Sequence, residues 1–159
     1  MKIDKLFNGL KRIANGDYVL EGDLISEETI EIDLDDRFVV KGRIESKKSI
    51  IIRHGIKAGC GIKAGWGIEA GWGIKAGWGI EAGEGIEAGE GIEAGYGIKA
   101  GDGIKTKTFI NARKCIFAGI SIYRTSKNCD KTIRCVELRN GEICYGDLTL
   151  TKETQNDEG

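Results

Sequence analysis

A six-residue unit, Gly-Ile-(Lys/Glu)-Ala-Gly-x, repeats through residues 55–106 and constrains the fold more than any other feature of the chain. A period of six matches neither a 3.6-residue nor a 3.5-residue helical period. A helix would therefore scatter the apolar side chains around its circumference and carry glycine at every third residue or closer. The repeat excludes a helix over this segment. Its isoleucines are Ile56, Ile62, Ile68, Ile74, Ile80, Ile86, Ile92, Ile98 and Ile104.

An extended chain explains the repeat. The Ile and the Ala two residues later then face one side, while the Lys or Glu between them faces the other. We expect the glycines to form corners, because glycine reaches positive φ without steric cost. Successive turns would stack into an all-β fold, a β-solenoid (β-helix) with a thin Ile/Ala core.

The outward charges predict how many hexads make one coil, because like charges on neighbouring rungs disfavour each other. Three hexads per coil give four opposite and two like pairs, whereas two hexads give four opposite and three like pairs. We therefore predict a triangular coil. Its opposite pairs would be Lys63 with Glu81, Glu81 with Lys99, Lys75 with Glu93, and Glu87 with Lys105; its like pairs would be Lys57 with Lys75 and Glu69 with Glu87.

The amino-acid composition excludes several further classes of protein. The chain has 25 glycines, no proline and 40% hydrophobic residues, which excludes both collagen and a flexible Gly/Ser linker. Its formal charge of −1 lacks the basic footprint of a nucleic-acid binder, so we do not expect direct nucleic-acid binding. No stretch approaches the roughly 18 apolar residues of a membrane span. We expect a cytoplasmic protein without a membrane partner.

The flanks of the array predict caps. Helical spacing of apolar residues predicts an N-terminal helical cap over residues 1–16, the apolar residues being Ile3, Leu6, Phe7, Leu10 and Ile13. Residues 17–54 match themselves at an offset of 20, which predicts two longer β coils. Over residues 107–151 we predict strands, with a β-hairpin at Asn140-Gly141. Over residues 152–159 we predict a disordered polar tail.

Few residues of the sequence are candidates for catalysis or metal binding. The odd number of cysteines and their spacing favour reduced thiols over disulfides. Cys129, Cys135 and Cys144 lack a Cys-x-x-Cys pair, so small buried side chains are a better interpretation than zinc. His54 has no partner motif, and we expect it at a surface or turn position. We predict no catalytic residue, no cofactor and no metal.

The variable x position is the informative column. Acids at this position would be costly to bury, so we expect the column to face outward or lie at the corners. The tryptophans would then lie on three different sides, either anchoring a partner or folding over the glycines to shield backbone. Both interpretations stay open. The predicted partner-binding residues are Trp66, Trp72, Trp78, Glu84, Glu90, Tyr96 and Asp102.

The array resembles hexapeptide-repeat β-helices, although those proteins place a small residue two positions before each aliphatic one, where this chain has the x column. The coils before it loosely resemble the polymer-forming bactofilins. The array followed by residues 116–119, 133–135 and 141–146 is similar to small proteins of phages and mobile elements.

The phage resemblance implies a compact, non-enzymatic protein that binds and inhibits a host macromolecule in the host cytoplasm, such as a CRISPR-Cas nuclease or effector complex. The bactofilin resemblance implies the alternative, a self-assembling structural scaffold. A homo-oligomer is compatible with both. Ice binding is a weaker hypothesis, because flat ice-binding faces are uncharged and rich in threonine.

Overall fold

Twenty-one short strands make up the regular structure of the computed structural model, which describes residues 1–121 and 130–152. Numbered β1 to β21 in chain order, they are Lys2–Ile3, Leu10–Arg12, Tyr18–Leu20, Leu24–Ser26, Ile30–Ile32, Phe38–Val40, Ile44–Ser46, Ile50–Ile52, Ile56–Ala58, Ile62–Ala64, Ile68–Ala70, Ile74–Ala76, Ile80–Ala82, Ile86–Ala88, Ile92–Ala94, Ile98–Ala100, Ile104–Thr106, Phe109–Phe117, Thr132–Cys135, Glu137–Tyr145 and Asp147–Leu150. The predicted all-β fold is confirmed.

The strands wind into a β-solenoid of about seven coils with three faces. Face A stacks β3, β6, β9, β12, β15 and the first halves of β18 and β20. Face B stacks β4, β7, β10, β13, β16 and the second halves of β18 and β20. Face C stacks β5, β8, β11, β14, β17, β19 and β21. In the array each strand pairs in parallel with the strand three further along, so the triangular coil is confirmed.

The outward charges stack in the predicted register. Lys63 lies opposite Glu81, and Glu81 lies opposite Lys99, whose Nζ is 3.6 Å from the Glu81 carboxylate. Lys75 Nζ lies 2.7 Å from the Glu93 carboxylate. Exposed pairs of this kind contribute less than about 1 kcal/mol each, so they favour one register more than they stabilise the fold. The like pairs are also adjacent, Lys57 with Lys75 and Glu69 with Glu87.

The core is a continuous stack of isoleucine and alanine along the solenoid axis. Every repeat isoleucine is 2% exposed or less, and the Lys or Glu between Ile and Ala points outward. Burying an aliphatic side chain of this size contributes about 1.5–3 kcal/mol. The alternation of apolar and charged residues in each three-residue strand therefore accounts for both the inside and the outside of the coil.

The repeat glycines are required by contact between coils, and the expectation of positive φ is wrong for them: the array has no glycine at positive φ. A Cβ on Gly77 would lie 2.0 Å from the carbonyl oxygen of Gly59, one coil earlier. The first glycine of every Gly-x-Gly shows the same approach, between 1.8 and 2.0 Å. The second is less crowded, since a Cβ on Gly79 would lie 3.3 Å from the Gly97 oxygen.

The predicted N-terminal helical cap over residues 1–16 is wrong. The segment forms β1, which pairs in parallel with β5, and β2, which pairs antiparallel with β3. Gly9 has φ +82° and interrupts any helix, and Asn15 and Gly16 (φ +94°) form the turn between β2 and β3. A short helix gains little in water, whereas these two strands cover bare edges of the first coil.

Two carboxylates fasten this N-terminal cap. The buried Asp17 accepts two hydrogen bonds from Arg37, the shorter of them 2.8 Å. Asp35 accepts one from Lys5 Nζ at 2.7 Å and one from the Tyr18 hydroxyl at 2.6 Å. The Arg37 guanidinium lowers the pKa of Asp17, and the donors Lys5 and Tyr18 lower the pKa of Asp35. Both groups therefore favour the folded cap in their ionised form.

The coils before the array are almost regular. The register is 20 residues from the first coil to the second, as in Leu24 with Ile44, and 18 residues thereafter, as in Ile44 with Ile62. The two extra residues fall between β5 and β6, where Leu34 is buried in the core. Only the first of the two coils expected to be longer therefore carries the insertion.

The C-terminal coils depart from the predicted hairpin at Asn140-Gly141. β20 runs through this site and pairs in parallel with β18, with irregular register where Gly141 has φ +113°. β21 pairs in parallel with β19. Gly141 therefore lies in a bulge of a long strand and not in a turn. The tail beyond Lys152, and the end of the strand expected at residues 115–123, lie outside the described residues.

Substituting the two glycines of one Gly-x-Gly should have unequal effects. Gly77→Ala places a methyl group against backbone that no side-chain rotation can relieve, so we expect a loss of about 2–4 kcal/mol and a Tm lower by roughly 5–15 °C. Gly79→Ala is the matched control and should change stability by less than about 1 kcal/mol. Thermal unfolding followed by circular dichroism measures both; equal effects would contradict the close-approach explanation.

Acid should weaken the N-terminal cap through Asp17 and Asp35. Their pKa values are lower in the folded than in the unfolded protein, so their stabilisation is present above about pH 4 and is lost as the pH falls through the folded values. We expect Asp17→Asn with Asp35→Asn to lower Tm at pH 7 and to reduce its decline between pH 5 and pH 2. Glu21→Gln, an exposed control, should retain the full decline.

Candidate functional site

The x column lies at the three corners of the coil, since every third hexad returns to the same corner. Backbone hydrogen bonds hold each x residue to the one a coil earlier: Trp78 N–H donates to Cys60 O at 3.2 Å, and Tyr96 N–H to Trp78 O at 3.1 Å. The side chains therefore project from a fixed backbone. We name the corners by the faces they join: corner AB holds Cys60, Trp78, Tyr96 and Lys114; corner BC holds Lys48, Trp66, Glu84 and Asp102; corner CA holds His54, Trp72, Glu90 and Thr108.

Corner AB carries the most exposed aromatic side chains of the array. Trp78 is 69% exposed and Tyr96 is 63% exposed. They occupy successive rungs, which lie about 4.8 Å apart, so the two rings form a short ladder on the surface. Lys114 extends the ladder by one rung, with its Nζ 5.9 Å from the centre of the Tyr96 ring, within cation–π distance.

A shallow groove of about 840 Å³ runs along face B beside this corner. The aromatic ladder forms one wall, and the half-buried Phe117 adds a further ring near its C-terminal end. Lys63, Glu81 and Lys99 stand on the same face as an alternating row of charges. Corner AB and face B therefore combine apolar rings with charges of both signs, as the core and rim of a protein interface do.

Corner CA is packed differently. The His54 ring meets Trp72 edge-on, with centroids 4.6 Å apart and an interplanar angle of 87°. His54 Nδ1 donates a hydrogen bond to the Leu34 carbonyl oxygen at 2.7 Å, which fixes the imidazole in the corner. Trp72 is 43% exposed, less than the other two tryptophans. These two contacts hold the His54 ring in place. Of the three tryptophans, Trp72 fits the shielding interpretation best.

Corner BC and face C form an acidic surface. Trp66 follows Lys48 at this corner, and Glu84 and Asp102 occupy the next two rungs. Among the described residues, five acids and one lysine line the adjoining groove on face C. The lysine, Lys105, lies 3.4 Å from Asp130. The charged residues of the groove are Glu69, Glu84, Glu87, Asp102, Lys105 and Asp130.

The structure therefore divides the seven predicted site residues instead of gathering them. It brings Trp78 and Tyr96 together, places Trp66 beside two acids, and sets Trp72 with Glu90 on the third corner. Sequence reasoning missed Lys114 and Phe117, which lie beyond the regular hexads. The 18-residue spacing, continued from Tyr96, identifies Lys114.

The expectation of five reduced thiols is wrong for two of them. Cys115 on β18 and Cys144 on β20 are joined by a disulfide, with Cα atoms 5.5 Å apart. Their 29-residue separation hides this contact, because the last coils do not keep the hexad length. Cys60 and Cys135 are free thiols, and burial raises the pKa of Cys135.

Two of the three cysteines considered for zinc, Cys135 and Cys144, lie in the described residues and on different faces. Cys135 is buried on face C, Cys144 is bonded to Cys115 on face B, and Cys129 lies outside the described residues. Within the described residues, the metal-type donors that cluster are Cys115, Cys144 and Glu142, whose donor atoms lie within 4.8 Å of one another. The disulfide occupies both sulfurs of that cluster.

No protein-family model matches the chain, and no curated protein or solved structure is significantly similar to it. Over residues 1–121 and 130–152 there is also no helix of the length and hydrophobicity that a membrane span requires. The geometry of the corners is therefore the basis for a functional proposal.

The three tryptophans should differ in solvent access. In variants that retain a single tryptophan, the others being replaced by Phe, we expect acrylamide to quench Trp78 most and Trp72 least, because they are 69% and 43% exposed, with Trp66 at 50% between them. Stern–Volmer plots of fluorescence measure this order. Unchanged far-ultraviolet circular dichroism controls for folding. A Trp72 signal quenched as strongly as Trp78 would contradict the His54 contact.

Proposed function

We propose that the protein is a non-enzymatic, protein-binding β-solenoid of a phage or mobile element, which binds and inhibits a host macromolecule in the host cytoplasm. The observation that supports this proposal is the aromatic ladder of Trp78 and Tyr96 on corner AB, exposed to solvent and held on a rigid backbone. Large exposed aromatic side chains beside mixed charges are typical of protein contact surfaces.

The ladder is able to supply a useful part of the binding free energy. Each ring carries roughly 150–250 Å² of surface, more than half of it exposed, so covering both contributes on the order of 5 kcal/mol before the costs of association. The backbone bonds between rungs already order the two residues. A partner therefore has to immobilise only their side-chain rotations.

The acidic surface of corner BC and face C favours a nucleic-acid-processing enzyme as the target. Channels that hold nucleic acid are lined with lysine and arginine, and clustered carboxylates complement such a surface and speed association. The net charge of −1 limits this effect to one side of the solenoid. Together with the resemblance to phage proteins, this supports a CRISPR-Cas nuclease or effector complex as the partner.

A self-assembling scaffold of the bactofilin kind is less well supported. Growth of a filament by stacking coils requires a bare strand edge at both ends. At the N-terminal end, β1 and β2 cover two of the three edges of the first coil. This arrangement favours a finite particle over a filament.

The proposal is tested by inhibition and binding assays. Purified protein is titrated against a panel of CRISPR-Cas nucleases in a DNA-cleavage assay, and the affinity for any inhibited enzyme is measured by biolayer interferometry. Replacing both ladder residues, Trp78→Ala with Tyr96→Ala, should weaken binding at least thirtyfold, as expected for the loss of about 2 kcal/mol or more at a contact centre.

Trp72→Ala is the matched control, because it removes the same side chain from a corner where the ring packs on His54. It should change affinity by less than about threefold. Absence of inhibition and of binding across the panel would contradict the assigned target. Equal losses for the ladder variant and the control would show that corner AB is not the contact surface.

A further inference from the structure

In the part of the chain that the structure describes, the last coil of the solenoid leaves its apolar columns partly exposed. Leu138, Ile143 and Leu148 continue the inward-facing columns of Ile110, Ile116 and Ile133, which are fully buried. In the last coil the first two are only half-buried, and Leu148 is 39% exposed. Every residue of β21 is exposed, and in the described residues β20 and β21 pair with a strand on one edge only.

The two ends are therefore unlike. β1 and β2 cover two of the three edges of the first coil, while β20 and β21 in the last coil leave their outer edges unpaired and present a layer of apolar side chains. Leu150 (59% exposed) and Tyr145 (43% exposed) extend this layer to the rim. An end of this kind invites edge pairing, and a two-fold contact between two such ends is closed rather than part of a chain of contacts.

We infer that the C-terminal end binds the same end of a second copy, giving a two-fold symmetric, tail-to-tail dimer. This inference concerns a surface separate from corner AB and stands independently of the proposed inhibitory function.

The topology suits such a dimer. Two identical coils that face each other across a two-fold axis run in opposite senses, so strands that meet across the contact are antiparallel. Antiparallel edges form well-aligned hydrogen bonds, and a two-fold contact presents the same surface on both sides. The layer of Leu138, Ile143 and Leu148 would then continue from one core into the other.

The charges of the last coil also fit a second copy. They nearly balance, with Glu137, Glu142 and Asp147 against Arg139 and Lys152. Glu137 pairs with Arg139 at 2.9 Å, and Asp147 pairs with Lys131 at 3.3 Å. A nearly neutral surface of mixed sign meets its own copy without net repulsion, whereas it offers little attraction to a strongly charged partner.

Residues 153–159 are a less suitable occupant of this layer. Their sequence, Glu-Thr-Gln-Asn-Asp-Glu-Gly, contains no apolar side chain. Such a segment gains little by covering leucine and isoleucine. A second copy supplies both the matching strand edge and the matching apolar layer.

The test is the mass of the full-length protein in solution, measured by sedimentation equilibrium from 1 to 100 μM. We expect a species of twice the 17.3 kDa chain mass, dissociating on dilution. Leu150→Arg should raise the dissociation constant at least tenfold, because it places a charge in the contact. Leu150 is already exposed in the single chain, so this variant should fold, and circular dichroism checks that it does.

Leu6→Arg is the matched control, since Leu6 is 92% exposed and lies in the N-terminal segment. It should leave the dimer unchanged. A wild-type protein that stays at 17.3 kDa up to 100 μM would overturn the inference, as would assemblies larger than two chains. A dimer that survives Leu150→Arg, or that Leu6→Arg dissociates, would place the contact elsewhere and overturn it equally.

Discussion

The close approach of backbone to backbone at the corners is the constraint on which the rest of the structure depends. A carbonyl oxygen of one coil occupies the space that a Cβ would need at the first glycine of the next Gly-x-Gly, 1.8–2.0 Å away. Coils can then pair in parallel at the spacing of a β-sheet on all three faces. In the hexad array, each short strand buries one Ile and one Ala in the core.

The same constraint makes the x column the place where the surface varies. In the array, glycine is required on one side of each corner and is also present on the other, Ile and Ala fill the inside, and a Lys or Glu occupies the outward position on each face. The residue type varies most at x, where the side chain points away from the stack. With three hexads per coil, neighbours on one corner are 18 residues apart, so Tyr96 lies one rung after Trp78, while the Trp72 ring packs against His54.

Much of the fold could be predicted from the sequence because the repeat is strict. The period of six together with the order of the outward charges predicts the triangular coil, and the stacked charge pairs and the separation of the tryptophans follow from that coil. The errors arise where different structures share one local pattern. Ile3, Leu6 and Phe7 have helical spacing, yet the strand β1 buries Ile3 and leaves Leu6 exposed. An Asn-Gly pair predicts a hairpin, which forms at Asn15-Gly16 but not at Asn140-Gly141.

The remaining features depended on contacts that sequence spacing does not reveal. The disulfide of Cys115 and Cys144 and the place of Phe117 on face B arise in coils that have lost the hexad length.

The same loss of regularity has a physical role. A regular hexad coil at the C-terminal end would present three straight edges and pair with any similar coil. Gly141 and Gly146, both at positive φ, make the last coil irregular, and irregular edges pair less readily with unrelated strands. The solenoid is therefore regular through the hexad array, where the x column varies, and irregular in its last described coil.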